Sequence, residues 1–540
     1  MTRIVLTLLL FARVANAQWW KHAVVYEIYP RSFQDSNGDG IGDIKGIISR
    51  LDYLHDLGID AIWLTPIYPS PQVDFGYDIS NYENIDPQYG TLADFDALIR
   101  EARKRGIRVL MDMVMNHTSD QHPWFIESRS SRANAKRDWY VWRDGKGPGQ
   151  PPNNWLSEFG HTAWQYDSGT GQYYYHKFYP QQPDLNWRNP AVERAMFNAV
   201  RFWLNRGVAG FRLDAITTLF EDPELRDEKV LAGTNAYGDP NEDDARTDNH
   251  PEVHDVLRAL RKVIDTYSGE RVLIGETYLH GPEDLNKMYG KNNDELQLPM
   301  DMQVGLIDTL DATAFRRRIT EAETMIRGNV PLFVFNNHDL HRSWDRYHPP
   351  AARIVATILL ATGATAQMYY GEELGMKTTP PTRKEDVRDP IGVIGWPKEK
   401  GRDGERTPMQ WDGSPNAGFT TGTPWLPVPS SSDTVNVARE EKDPGSLLSW
   451  YKRLIALRRT NSPFREGTTQ MLDYDQENVL AWLRKSSGGT VLVACNLSSE
   501  TKTITLRGAL RPILRSDSAA TGRSLPPYAV YIGAVESSAR

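Results

Sequence analysis

Cysteine is almost missing from this chain: Cys495 is the single one among 540 residues. No intramolecular disulfide can form, so stability has to come from the core. Cys495 itself lies in the apolar run TVLVACNL and reads as an inert core residue. Long runs of lysine or arginine are also lacking, and the formal charge is −8. The concentrated basic face that a nucleic-acid partner requires is therefore excluded. Beyond residue 17 no apolar stretch approaches the ~20 residues of a bilayer-crossing helix, so no membrane span is expected in the mature protein. A zinc-hydrolase helix is excluded as well. HPEVH, with His250 and His254, has Pro251 where the zinc motif needs a glutamate.

What is present is ordinary globular composition, 40% hydrophobic and 24% charged, in a chain too long for one small domain. The first seventeen residues combine Arg3, an apolar stretch from Ile4 to Ala12 and small residues at Ala15 and Ala17. They read as a cleaved signal peptide, which implies a secreted or periplasmic protein. Sixteen tryptophans and twenty-four tyrosines offer flat apolar faces with polar edges. Such faces suit the mixed surface of a sugar ring, so a neutral or polar ligand is expected.

Short β-rich runs alternate with amphipathic helices from about Trp19 onward. In IKGIISRLDYLHDLG, for example, Ile44, Ile47, Ile48, Leu51 and Leu54 recur at helical spacing before Gly58. Strand centres fall near Val25, Ile62, Leu110, Phe211, Ile274, Leu298, Phe333 and Met368. Eight strands with intervening helices predict an α/β fold, a (β/α)8 TIM barrel. The alternation breaks over residues 118–188, rich in Trp, Tyr, Pro, Gly and Asn, which read as a loop-rich inserted subdomain. The barrel is thus expected over 18–117 and 189–460, with a helix-rich stretch after Asp214. A C-terminal antiparallel β-sandwich domain is expected over 461–540.

Three apolar runs each end in a carboxylate: GFRLDAI with Asp214, VLIGETY with Glu276 and PLFVFNNHDLH with Asp339. They lie about 60 residues apart, room for one or two strand-helix units, and strand ends of a parallel barrel share one face. Paired carboxylates in different environments are the equipment for cleaving glycosidic bonds. Arg212 shares a strand face with Asp214 and is placed to keep it ionised. Glu276 follows the apolar VLIG, where desolvation would raise its pKa towards a working acid.

With DMVMNHTS, QPDLNW, GFRLDAI, GETY, NNHD and GRDGERTPMQWD in this order, the chain resembles the α-glucosidase branch of glycoside hydrolase family 13, the α-amylase superfamily. The resemblance implies Asp214 as nucleophile, Glu276 as general acid/base and Asp339 as transition-state stabiliser. It further implies that His117 and His338 bind hydroxyls of the same glucose. Asp78 with Arg402 would grip the non-reducing end and make cleavage exo-acting. Tyr77, Phe159 and Phe178 look like stacking or wall residues, and Gln182 like a polar pocket group.

In DSNGDGIGD, Asp35, Asn37, Asp39, the carbonyl of Ile41 and Asp43 match the first five ligand offsets of a calcium loop, with Gly40 at the turn. Gly46 occupies the twelfth position, so the bidentate glutamate is missing. The resemblance implies one structural Ca²⁺ or Mg²⁺ here and no organic cofactor; the same residues would otherwise be a solvated turn. Ala215, small beside the nucleophile where some α-1,6-preferring relatives carry valine, favours maltose-type substrates or sucrose. Two other functions fit parts of the pattern. One is a transglycosylating relative such as a trehalose synthase or sucrose isomerase; the other is a non-catalytic, transporter-associated barrel, which usually lacks the catalytic acids and carries a membrane anchor.

Overall fold

The eight apolar runs form the eight strands of one closed parallel barrel in the computed structural model, which describes residues 18–536 except 148, 280 and 327. The signal peptide expected at 1–17 lies outside the described residues. The strands are Val24–Ile28, Ala61–Leu64, Arg108–Val114, Gly210–Asp214, Val272–Gly275, Leu298–Asp301, Leu332–Val334 and Thr365–Tyr369. Each pairs in parallel with its neighbours, and the first closes on the eighth through Val24 opposite Ala366. They are buried on both faces, which is why they read as nearly continuous apolar runs instead of alternating ones.

The surrounding helices follow local rules. Leu92–Lys104 starts from a reciprocal capping box between Thr91 and Asp94 and buries Phe95, Leu98, Ile99 and Ala102 against the barrel. Pro190–Asn205 opens with proline at its first turn and an Asn189 cap, and buries Trp203, whose Nε1 donates to the Tyr82 carbonyl at 2.7 Å. No helix among the described residues is long and apolar enough to cross a membrane.

The inserted segment after the third strand carries a three-stranded antiparallel sheet with Gln172–Tyr175 in the middle, flanked by Trp142–Arg143 and Trp164–Asp167. Its own small core is aromatic, built on Trp155, Trp164, Tyr173 and Tyr175. The stretch after the fourth strand departs from expectation. Its first half forms an exposed hairpin, Val230–Thr234 with Pro240–Glu242, and only Val253–Ile264 is a long helix. Prolines, glycines and acidic residues between 221 and 244 break the helical period there.

The C-terminal part is antiparallel. Thr468–Leu472, Val479–Ser486, Gly489–Asn496, Val530–Glu536 and Ala509–Arg515 form a sheet in that order, and Lys502–Thr503 pairs with Ser524–Leu525 as a separate ribbon. Leu480, Trp482, Val493 and Cys495 join the large core that the helices around the barrel also build. Val479, Ala481, Leu483 and Leu492 belong to a second core on the other face.

Gly210 opens the fourth strand at φ +150°, and a Cβ there would stand 2.0 Å from the Val272 carbonyl oxygen of the fifth. Gly210→Ala should force these strands apart beneath Arg212 and cost about 2–4 kcal/mol of stability. A denaturant melt checks this; an unchanged midpoint would show that the strands tolerate the methyl group.

Candidate active site

The carboxyl ends of the strands open into a cavity of about 530 Å³. Arg212 sits in the middle of the fourth strand, fully buried. Its Nη1 donates to Asp214 Oδ1 at 2.5 Å and to both oxygens of Asp112, on the third strand, at 3.1 Å. Its Nη2 lies 2.5 Å from Glu276 Oε1 but is not aligned to donate a hydrogen bond to it. Glu276 Oε2 instead accepts from the backbone N–H of Ala215 at 2.8 Å. That amide is aimed by strain: Ala215 has φ +43° and ψ +41°, a left-handed conformation costing about 1–2 kcal/mol for a non-glycine residue. The strand ends at Asp214 and the chain turns at once into the short helix Ile216–Thr218.

Three carboxylates on one guanidinium cannot all ionise cheaply in a buried site. Burial pushes Asp112 up to about 6 against the pull of Arg212. Burial pushes Asp214 up to about 7, again opposed by Arg212 and reinforced by the charge of Asp112. Glu276 also rises to about 7 through burial, against Arg212 and with the help of the charges on Asp214 and Asp339. Asp214 and Asp112 take directional hydrogen bonds from Arg212, whereas Glu276 takes its bond from the Ala215 amide.

Asp339 is of the opposite kind. Burial works against its charge, yet His338, Arg402, Arg406 and Arg212 together hold it far below the ordinary carboxylate range. Its Oδ1 accepts from Arg402 Nη1 and Arg406 Nη2, each at 2.9 Å, and its Oδ2 lies 3.2 Å from His338 Nε2. His338 is fixed in turn by Glu27 at 2.7 Å and by the Tyr77 hydroxyl at 2.8 Å, and its ring stacks on Tyr77 at 5.3 Å. His117 is held neutral by burial, which lowers it to about 3; its Nε2 lies 3.1 Å from Gln182 Nε2. Phe159 and Phe178 form an aromatic wall, 5.7 Å apart, with Phe178 also against His117.

Tyr77, His117, Phe159, Phe178, Gln182, Asp214, Glu276, His338, Asp339 and Arg402 all line this cavity, and Arg212 lies beneath it. Asp78 does not, and its expected pairing with Arg402 is corrected. Asp78 is fully buried behind the wall, accepting from Ser70 Oγ at 2.8 Å and from the amides of Val73 and Asp74 at 3.0 Å. The partner of Arg402 is Asp74, four residues earlier, at 2.8 Å. Asp78 ties the turn that presents Asp74. Arg402 Nε also donates to Asp389 at 2.8 Å, so one guanidinium joins three loops.

Sequence reasoning missed Asp74, Asp112, Glu27, Asp389 and Arg406. Two left a visible signal: Asp112 is a carboxylate inside the apolar strand RVLMDMV, and Glu27 one inside VVYEI. Nothing local distinguishes Asp74 from Asp78, because both sit in one turn.

In the DSNGDGIGD loop the expected ligands turn back onto the loop. Asp35 accepts from the amides of Asn37, Gly38 and Gly40, each at 2.8 Å. Asn37 accepts from the Asp39 amide and Asp39 from the Ile41 amide, both at 2.8 Å. Asp43 caps the helix Ile44–Ser49 and accepts from Ser36. Among the described residues no three His, Cys, Asp or Glu side chains gather as a metal cluster.

Residues 27–467 match the model of the alpha amylase catalytic domain. A probable alpha-glucosidase of Rhizobium meliloti (strain 1021) is 42% identical over 504 residues, covering 90% of this chain and 91% of that protein. An oligo-1,6-glucosidase of Parageobacillus thermoglucosidasius is 40% identical, covering 89% of this chain and 91% of its own. Among solved structures, the alpha-glucosyl transfer enzyme XgtA superposes with a TM-score of 0.89 at 39% identity. The trehalulose synthase MutB from Pseudomonas mesoacidophila MX-45 does so with 0.87 at 36%. Each likeness covers 96% of this chain and 100% of the other. A parallel barrel with acids at its strand ends is the frame of a glycoside hydrolase. The chain belongs to the α-amylase family, glycoside hydrolase family 13.

Asp214→Asn and Glu276→Gln should each lower kcat by about 10³-fold or more while leaving the thermal midpoint nearly unchanged. In the general-acid role that the resemblance implies, Glu276 is active only while protonated, so kcat/KM should fall as pH rises through about 7, the value to which it is pushed. Glu276→Gln should lose that alkaline limb. A near-normal rate in either variant, or a retained limb in Glu276→Gln, would remove these assignments.

Proposed function

We propose that this protein is a retaining, exo-acting α-glucosidase that releases terminal α-1,4-linked glucose from maltose-type oligosaccharides or sucrose. Asp214 attacks the anomeric carbon to form a covalent glucosyl intermediate while Glu276 protonates the leaving oxygen. Glu276 then takes a proton from the water that releases glucose. Asp339, permanently charged, grips sugar hydroxyls and favours the cationic transition state. Two carboxyls held on one guanidinium lie close together, which supports the retaining arrangement, with about 5–5.5 Å between carboxyl groups, over the inverting one.

The observation carrying the exo reading is the bridge from Arg402 to Asp74 at 2.8 Å in the cavity wall. A bridge there closes the cavity beyond one sugar and offers paired donors and acceptors to a terminal glucose. A second reading, transfer of glucose to another acceptor or rearrangement within a disaccharide, is favoured by the likeness to XgtA and to MutB. Product analysis on maltose, isomaltose, sucrose and trehalose separates the two, with anomer-resolved NMR. The expected outcome is release of α-glucose, fastest from maltose or sucrose; a rearranged disaccharide with little free glucose would move the function to isomerase.

We propose in addition that the DSNGDGIGD loop takes one structural Ca²⁺ or Mg²⁺, on the spacing of its oxygen groups alone. Calcium should then raise the thermal midpoint and EDTA lower it, as for any ligand binding the folded state alone. An identical midpoint in both would leave the loop as a hydrogen-bonded turn.

A further inference from the structure

The opposite end of the barrel carries a second cavity, of about 250 Å³, in which three arginines meet. Arg108 opens the third strand and Arg271 immediately precedes the fifth. Between them the fourth strand enters the barrel through Gly207, Val208, Ala209 and Gly210. The Ala209 amide donates to the Val109 carbonyl at 2.8 Å and the Val272 amide to the Ala209 carbonyl at 3.1 Å. One rung lower, Arg108 and Arg271 therefore flank a strand segment with little side chain of its own. Arg103, from the last turn of the helix Leu92–Lys104, closes the third side. A Cβ on Gly207 would lie 3.4 Å from Arg103 Nη2, and one on Gly269 would lie 3.9 Å from Arg271 Nη1.

No carboxylate among the described residues comes within ion-pair distance of any of the three. The remaining residues of the chain, 1–17, 148, 280, 327 and 537–540, contain no Asp or Glu. Arg108 lies over the Trp19 ring at 4.5 Å, with the charges of Asp60 and Glu270 acting on it only from farther away. Arg271 Nε is buried without a hydrogen-bond partner. Burial lowers the pKa of both Arg108 and Arg271, and the charge of Arg103 lowers Arg271 further. In a chain of net charge −8 that pairs many of its other arginines with carboxylates, an exposed Arg103 and half-buried Arg108 and Arg271 around one recess, none in an ion pair, make a local positive patch that attracts an anion.

We propose that this recess at the amino-terminal end of the barrel is a binding site for a phosphate-class oxyanion, held by Arg103, Arg108 and Arg271. Guanidinium forks match the tetrahedral oxygens of phosphate, and the glycine-rich approach leaves the anion room to reach all three. The source is free inorganic phosphate or the phosphate group of a small ester; the two share this chemistry.

Isothermal titration of the full chain with inorganic phosphate and with glycerol 3-phosphate, against chloride at equal ionic strength and against glycerol, tests the site. The expected result is binding of one phosphate species per chain, weakened at least about tenfold in Arg103→Gln/Arg271→Gln. That double variant should retain wild-type glucoside turnover, because neither residue touches the catalytic cavity, and its turnover also verifies folding. Tighter binding of inorganic phosphate would identify the free anion as the ligand, and tighter binding of glycerol 3-phosphate a phosphate ester. No heat beyond the chloride control, or equal affinity in the double variant, would overturn the proposal.

Discussion

Everything at the catalytic end of this molecule depends on the burial of Arg212. A guanidinium without solvent needs countercharge, and Asp112, Asp214 and Glu276 supply more than one unit of it. The excess works against full ionisation: burial raises Asp112, Asp214 and Glu276 alike, each opposed by the charge of Arg212. The same surplus makes the arrangement fragile, since removing the arginine would leave carboxylates facing one another in a dry pocket. The barrel strands supply the rigidity, because Asp112, Arg212 and Asp214 all stand on paired backbone.

Arg402 plays the corresponding part among the loops. It ties the turn at Asp74, the segment at Asp389 and the strand-end carboxylate Asp339 into one network. Asp389, pulled down to about 2 by Arg402 despite its burial, stays charged and holds the arginine's orientation. Loops joined in this way give the pocket a fixed shape before any sugar arrives, which lowers the ordering cost of binding.

How far this was legible in the sequence depended on whether a residue's role is local. The eight strands were, because a strand buried on both faces announces itself as a short apolar run. Asp214, Glu276 and Asp339 were, because each ends such a run. The Arg402 partner was not: Asp74 and Asp78 occupy one glycine-containing turn, and only the folded path of that turn decides which carboxylate faces the cavity. Asp389 and Arg406 act across loops whose mutual distance no periodicity encodes. The hairpin from Val230 to Glu242 escaped for a similar reason, since its strands are exposed and carry no apolar alternation.

The C-terminal sheet has a bearing on how the molecule comes apart. Alternate residues of the strand Val479–Ser486 belong to two cores, and Trp482 donates its indole N–H to the Ala361 carbonyl, at the end of a barrel helix, at 3.0 Å. Severing the chain before that strand would uncover the outer helices of the barrel against which it packs and leave a buried carbonyl without its donor. The boundary seen in sequence is therefore a change of architecture but not a seam. Heat or denaturant should find one cooperative unit where the chain's outline suggests two.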